Sequence, residues 1–294
     1  MPAWHVYVNR MAGRRAVDPA HIAALLREVG VEHVMHVPGS PEETTAQIRA
    51  AARDGAGHFA VAGGDGTVNL AINALMPLGL SEPPVVGILP VGTGCDLLRT
   101  FGLPHDLIGA ARHLKTDDTY AVDVATLEGS WGTRYFVNVA QAGIGAAAAQ
   151  TAVRLGRRLG SSRYPLAFVA RLPAFPRANV IVTTERRTIE TEALAVILAN
   201  AQFFAGGWNV APKATLVDGV LDVQIIDTRK AGAPALVPKV IRGTHLTDPS
   251  VRRVSAAEFT ITSEPVWPLE CDGDVVGNTP VSGRVIRAAI DLKI

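Results

Sequence analysis

Apolar positions fall into two regimes along the chain. In the first third, short apolar runs alternate with stretches of helical spacing. Trp4 to Val8 reads as a strand, Pro19 to Glu28 as a helix capped by Asp18, and Val31 to Val37 as a second strand. Ser40 opens another helix, with Pro41 at its first position and Glu42 and Glu43 in its first turn. His58 to Ala62 is a short apolar strand running into Gly63-Gly64-Asp65-Gly66, and Thr67 to Leu75 is a helix. Val85 to Leu89 is a further strand, running into Gly92-Thr93-Gly94. This alternation predicts an α/β N-terminal domain with a parallel sheet covered on both faces.

After about Thr119 short strand-like runs dominate: Tyr120 to Leu127, Arg134 to Ala140, Asn179 to Thr184, Ala193 to Asn200, Leu221 to Ile226, Glu258 to Ser263, Val281 to Ile286 and Ala289 to Ile294. They predict a mainly antiparallel β-sandwich or barrel-like C-terminal domain. One helical insertion, from about Ala146 to Leu172, interrupts it. The expected division is 1–120 and 121–294. The boundary lacks a flexible linker composition, so the expectation is two packed domains with a cleft between them.

Composition narrows the function. The 294 residues are 48% hydrophobic and 19% charged, the balance of a folded chain. A net charge of +1 lacks the basic excess of a nucleic-acid binder. Cys95 and Cys271 have no metal-binding spacing and suit a reducing cytoplasm as ordinary buried thiols. No signal-peptide pattern and no run of roughly 18–20 apolar residues occurs, so membrane contact is expected to be peripheral, at the inner face of the cell membrane. Oligomeric state is not legible; a homodimer is compatible with the pattern.

The chemistry concentrates in the glycine turns. At Gly63-Gly64-Asp65-Gly66-Thr67 a strand ends, glycines turn the backbone, and a helix begins with N–H groups and a positive dipole end that suit phosphate oxygens. Asp65 inside such a turn would hold Mg²⁺ against phosphates or accept a proton. The plainer alternative is a tight turn with an aspartate helix cap. Gly92-Thr93-Gly94-Cys95-Asp96 repeats the arrangement one βα unit later, and adjacent parallel strands would bring both turns to one rim. Asn9, directly after the first strand, would join them. No Walker A or protein-kinase motif is present. Gly143-Ile144-Gly145 has a dinucleotide-like form, but nothing acidic occurs between Glu128 and Glu185, so it reads as a tight turn into a small-residue helix.

These two turns, in this order, resemble the catalytic region of the diacylglycerol kinase and sphingosine kinase superfamily. Two later segments extend the resemblance over nearly the whole chain: Asn200 to Val223, with its P-x-A-x-x-x-D-G-x-L pattern, and Glu270-Cys271-Asp272-Gly273-Asp274, where the family carries D-G-E. The resemblance implies an NAD kinase/diacylglycerol kinase-like fold and phosphoryl transfer from ATP to a lipid hydroxyl, diacylglycerol to phosphatidic acid first. ATP and Mg²⁺ would be held by Asn9, Ser40, Gly63, Gly64, Asp65, Gly66, Thr67, Gly92, Thr93 and Gly94. Asp218, with the carbonyls of Thr215 and Val220, would hold a structural magnesium. Asp272 would accept the proton, with Asp274 beside it, and Asp65 would complete the catalytic set. This chain departs from the family at Arg10 (usually proline), Cys95 (usually asparagine) and Asp274 (usually glutamate).

Without the resemblance, Asp272-Gly273 and Asp218-Gly219 read as ordinary turns. Arg154, Arg157 and Arg158 at helical spacing, followed by Arg163 and Arg171 near Tyr164, Phe168 and Leu172, suit an anionic membrane surface or a solvated helix face. The other functions compatible with the chain are a kinase of another lipid, such as a sphingoid base or glycolipid, a kinase of a soluble nucleotide, and a non-catalytic nucleotide- or lipid-binding relative.

Overall fold

The computed structural model describes residues 2–13, 17–91, 95–103, 105–155 and 163–294. The chain forms two compact units: residues 1–124 with 287–294, and residues 125–286.

The first unit alternates β1 (Trp4–Val8), α1 (Pro19–Glu28), β2 (His33–His36), α2 (Pro41–Arg53), β3 (His58–Gly63), α3 (Asp65–Leu75), β4 (Val85–Pro90), α4 (Asp96–Phe101) and α5 (Leu107–His113), then enters β5 (Thr119–Gly129). Its strands run parallel in the order β2-β1-β3-β4. Helix starts follow local chemistry. Asp18 accepts from the Ala20 N–H at 3.0 Å to cap α1. Ser40 accepts from the Glu43 N–H at 3.1 Å, while Glu43 accepts from the Gly39 N–H at 2.7 Å. One sheet face packs Trp4, Val6, Val8, Ala60, Ala62 and Leu89 against Ile22 and Leu26 of α1 and the α5 residues Ala110 and Ala111. β3 is buried along nearly its whole length, as a doubly covered parallel strand requires.

The second unit contains β6 (Gly132–Phe136), β7 (Val139–Gly143), α6 (Ile144–Arg154), α7 (Arg163–Arg171), β8 (Ala178–Thr184), β9 (Thr188–Ala193), β10 (Ala195–Ala199), the short pair β11 (Phe203–Phe204) and β12 (Trp208–Asn209), β13 (Leu221–Ile226), α8 (Ala233–Arg242), β14 (Val251–Ala256), β15 (Glu258–Glu264), β16 (Pro268–Cys271), β17 (Asp274–Asn278) and the start of β18 (Val281–Lys293). One antiparallel sheet runs β14-β13-β10-β7-β16-β17. In the other, β18 pairs β15, β15 pairs β8 and β8 pairs β9, with residues 125–129 of β5 antiparallel to β6. The shared core includes Phe136, Val180, Leu198, Val223, Phe259 and Trp267, a sandwich.

Three differences from the linear reading have physical causes. Arg134 to Ala140 is not one strand: it breaks between Phe136 and Val139, where the backbone N–H groups of residues 137–139 turn to the Asp272 carboxylate. The last two runs are one strand, β18, bent at Ala288 (φ 47°), whose N–H donates to Asp123 at 2.8 Å. The end of β18 pairs parallel with β4, so residues 287–294 belong to the first unit, and the 121–294 division misses this return. The span expected for the helical insertion holds α6 and α7.

Candidate functional site

The predicted residues of the first unit gather at the carboxyl ends of β2, β1, β3 and β4. Val8 pairs with Ala62 and Gly63 with Pro90, so Asn9, the Gly63 turn and the start of the second turn share one rim, and Ser40 follows β2 at the same edge. Asn9 Nδ2 donates to Thr67 Oγ1 at 3.0 Å, tying two of these loops together. Gly63 is required by packing: a Cβ there would lie 2.2 Å from Thr67 Oγ1. Gly64 caps α3 without a side chain, and a Cβ at exposed Gly66 would meet nothing within 4 Å. The first turn of α3 is therefore backbone at an open rim, a donor set that fits phosphate oxygens.

Asp65 has a partner the linear reading does not supply. Its carboxylate accepts from the N–H of Asp96 at 2.8 and 3.0 Å and of Leu97 at 3.3 Å. A carboxylate from one helix start thus caps the next helix and braces the two turns. It caps the start of α4. The Ser40 hydroxyl and the Thr67 hydroxyl are likewise engaged, with Glu43 and Asn9. Asp96 is buried and pairs with Arg99 at 2.6 Å. Cys95 is buried, and burial first, then the charge of Asp65, pushes its thiol far up, out of reactive range. Cys271 is raised by burial in the same way. Gly92, Thr93 and Gly94 lie outside the described residues.

In the second unit Asp272 occupies the two-residue turn joining β16 to β17, with Cys271 paired to Asp274. Asp272 and Gly273 take φ of 47° and 94°, the left-handed values of such a hairpin. Its carboxylate accepts from the N–H of Val137 at 2.9 Å and of Asn138 and Val139 at 3.0 Å. Asp274 points elsewhere: it pairs with Arg134 at 3.1 Å and is 62% exposed. Asp218 is exposed in a turn and accepts from the Val220 N–H at 3.1 Å, with Thr215 also exposed. Among the described residues no group of three or more His, Cys, Asp or Glu gathers as a metal cluster.

Two features were not singled out from the sequence. The first is an apolar pocket of about 630 Å³, counting its open mouth, lined by residues such as Ile144, Phe168, Leu194, Ile197, Trp208 and Leu236, with Gln141 and Tyr164 as polar points. The second is Glu270, fully buried on β16. It accepts from Gln141 Nε2 at 2.7 Å and from the Gly273 N–H. Burial pushes its carboxyl up to about 8; the charges of Asp272 and Asp274 add to the rise, and the bonds from Gln141 and Gly273 oppose it. The available signal was a polar residue inside an otherwise apolar strand, in VAQAG and in PLEC.

Known proteins bear on this arrangement. The family pattern described as diacylglycerol kinase catalytic domain matches residues 3–127, and that of the YegS C-terminal NAD kinase beta sandwich-like domain matches 138–294. A diacylglycerol kinase of Mycobacterium tuberculosis is 30% identical over 292 residues, covering 97% of this chain and 92% of its own. A "Probable lipid kinase YegS-like" of Shewanella frigidimarina is 28% identical over 230 residues, covering 77% and 73%. A crystal structure of a diacylglycerol kinase from Bacillus anthracis superposes with a TM-score of 0.74 at 20% identity, covering 99% of this chain and 96% of that one. With both halves matched in order, the chain belongs to the diacylglycerol kinase-like family of lipid kinases, enzymes that use ATP.

Proposed function

We propose that this kinase transfers the γ-phosphate of ATP to the free hydroxyl of diacylglycerol, forming phosphatidic acid. The observation that carries a lipid acceptor is the pocket of the second unit, whose apolar wall suits an acyl chain. The open first turn of α3 would receive the ATP phosphates. Magnesium, when bound, would neutralise phosphate charge as the transfer proceeds. Asp65 would be its protein donor on this reading. Asp272 accepts the proton of the attacking lipid hydroxyl, and its bonds to residues 137–139 hold the carboxylate in one direction.

Access to the lipid comes from the bilayer surface. Among the described residues no helix is long and apolar enough to cross a membrane. α6 and α7 carry Arg154, Arg163 and Arg171, and they expose Val153 and Val169 (68% each) and Leu166 (50%). Tyr164 and Phe168 of α7 line the pocket. A basic face with exposed apolar side chains suits an anionic surface. Arg157 and Arg158 lie outside the described residues. Flotation with anionic liposomes tests this: Val169→Asp with Leu166→Asp should abolish binding, and unchanged binding rejects it.

The relative named as YegS-like keeps a second acceptor class in play, another lipid hydroxyl such as that of a sphingoid base or glycolipid. A panel of these lipids and diacylglycerol with labelled ATP decides between them. Ile197→Trp, which fills the pocket, should abolish transfer to long-chain acceptors. Undiminished transfer by that variant would remove the pocket from the reading.

A further inference from the structure

Glu270 has an arrangement that stability alone does not explain. It is fully buried, and among the described residues no ion pair reaches it. A carboxyl placed there without a cation is less favourable than an apolar side chain of similar size. Both of its oxygens are engaged. One accepts from Gln141 Nε2 at 2.7 Å, and the other from the backbone N–H of Gly273. Gln141 also donates to the Tyr164 hydroxyl at 3.1 Å, which donates to the Gly145 carbonyl at 3.3 Å. Gln141, Tyr164 and Gly145 are wall residues of the apolar pocket. Gly273 is the second residue of the left-handed turn that holds Asp272.

The hydrogen-bond chain therefore runs from the pocket wall to the turn bearing the proposed proton acceptor, and Glu270 is its central member. Both Glu270 oxygens, Gln141 Nε2 and the Tyr164 hydroxyl are engaged within the chain, an arrangement that holds geometry. The bond to the Gly273 N–H ties Glu270 directly to the left-handed turn, whose φ of 47° at Asp272 sets where that carboxylate leaves the backbone.

We infer that Glu270 is a positioning residue for phosphoryl transfer, fixing the Asp272-Gly273 turn against the polar wall of the acyl pocket through Gln141 and Tyr164. The inference rests on the reading of Asp272 as the proton acceptor. A misplacement of about 1 Å at the reacting groups costs on the order of 100-fold in rate, so loosening the turn should act on kcat.

The test compares Glu270→Leu, Glu270→Gln and Asp272→Asn in the full chain, measuring kcat and KM for ATP and for diacylglycerol in mixed micelles, with thermal melts alongside. Glu270→Leu should lose about 10- to 100-fold in kcat per folded enzyme with KM for ATP unchanged. Glu270→Gln, which preserves the shape and one acceptor oxygen for the Gly273 N–H, with Gln141 turning its amide over to accept from the new NH2, should restore part of that kcat. A purely structural role would instead lower the melting temperature and scale activity with the folded fraction. If Glu270→Leu does not fold, Gln141→Leu breaks the same chain and should show the same loss in kcat. Wild-type kcat in folded Glu270→Leu or Gln141→Leu, beside an inactive Asp272→Asn, overturns this inference alone. Full activity in Asp272→Asn overturns the reading on which it rests.

Discussion

Asp272 and Val139 are bonded to each other twice. The Asp272 N–H donates to the Val139 carbonyl at 3.0 Å, and the Val139 N–H donates to the Asp272 carboxylate at 3.0 Å. With Val137 and Asn138, one carboxylate serves three backbone N–H groups at the break between β6 and β7. Each such group left without a partner costs about 1–3 kcal/mol. Asp272→Ala should therefore unfold at distinctly lower urea than wild type, while Asp272→Asn, which keeps a carbonyl acceptor, should lose less. Equal midpoints for both variants and wild type would show that the bonds carry no stability. Activity tests of Asp272 are best read in the Asn variant for this reason.

The brace from Asp65 to the start of α4 makes a second prediction. Removing the acceptor in Asp65→Ala costs about 1–2 kcal/mol, as for a lost helix cap. It should also weaken ATP binding, since the first and second turns lose their tie. Calorimetric ATP titration with a parallel melt checks both; a variant with unchanged melt and unchanged ATP affinity contradicts the brace.

Gly63 admits no side chain. A Cβ would lie 2.2 Å from Thr67 Oγ1 and 2.4 Å from Thr67 Cβ, so Thr67 must shift and its bond from Asn9 must lengthen. Gly63→Ala should cost roughly 1–3 kcal/mol by overpacking and reduce ATP affinity. Gly63→Ala with Thr67→Gly, which removes every atom the new Cβ would meet, should recover part of the stability. No recovery would place the strain elsewhere.

Glu270 makes stability depend on pH. Its carboxyl titrates at about 8 in the folded chain, above its model-peptide value of 4.5, chiefly through burial, with Asp272 and Asp274 adding negative charge. The native state therefore holds a proton that the unfolded state has released across this window, and stability falls as pH rises through it. The contribution is fully present below about 4.5 and gone once pH passes about 8. Glu270→Gln removes the titration, so its melting temperature should exceed that of wild type increasingly from pH 5 to about 8. A constant difference across that range would mean that Glu270 does not titrate there.

Most of the first unit was legible because its signals are local. Trp4–Val8 and Pro19–Glu28 form where the pattern puts them, since buried strands are continuous apolar runs and Asp18 supplies a cap. The rim of turns followed from strand order. What escaped depends on partners far along the chain. Asp65 meets Asp96 31 residues later, and Glu270 meets Gln141 across 129 residues. The break after Phe136 has no local sign, because its cause is Asp272. Likewise Asp274, adjacent in sequence to the turn, is drawn off by Arg134 on the neighbouring hairpin, and no spacing rule registers that.

The measurement that bears most directly on the account is phosphate transfer from γ-labelled ATP to diacylglycerol in mixed micelles, comparing wild type with Asp272→Asn. The account predicts a labelled lipid migrating with phosphatidic acid and a loss of at least about 100-fold in the variant, the usual effect of removing a positioned proton acceptor. A folded, ATP-binding wild type that labels no lipid, or an Asp272→Asn variant with undiminished transfer, would contradict it.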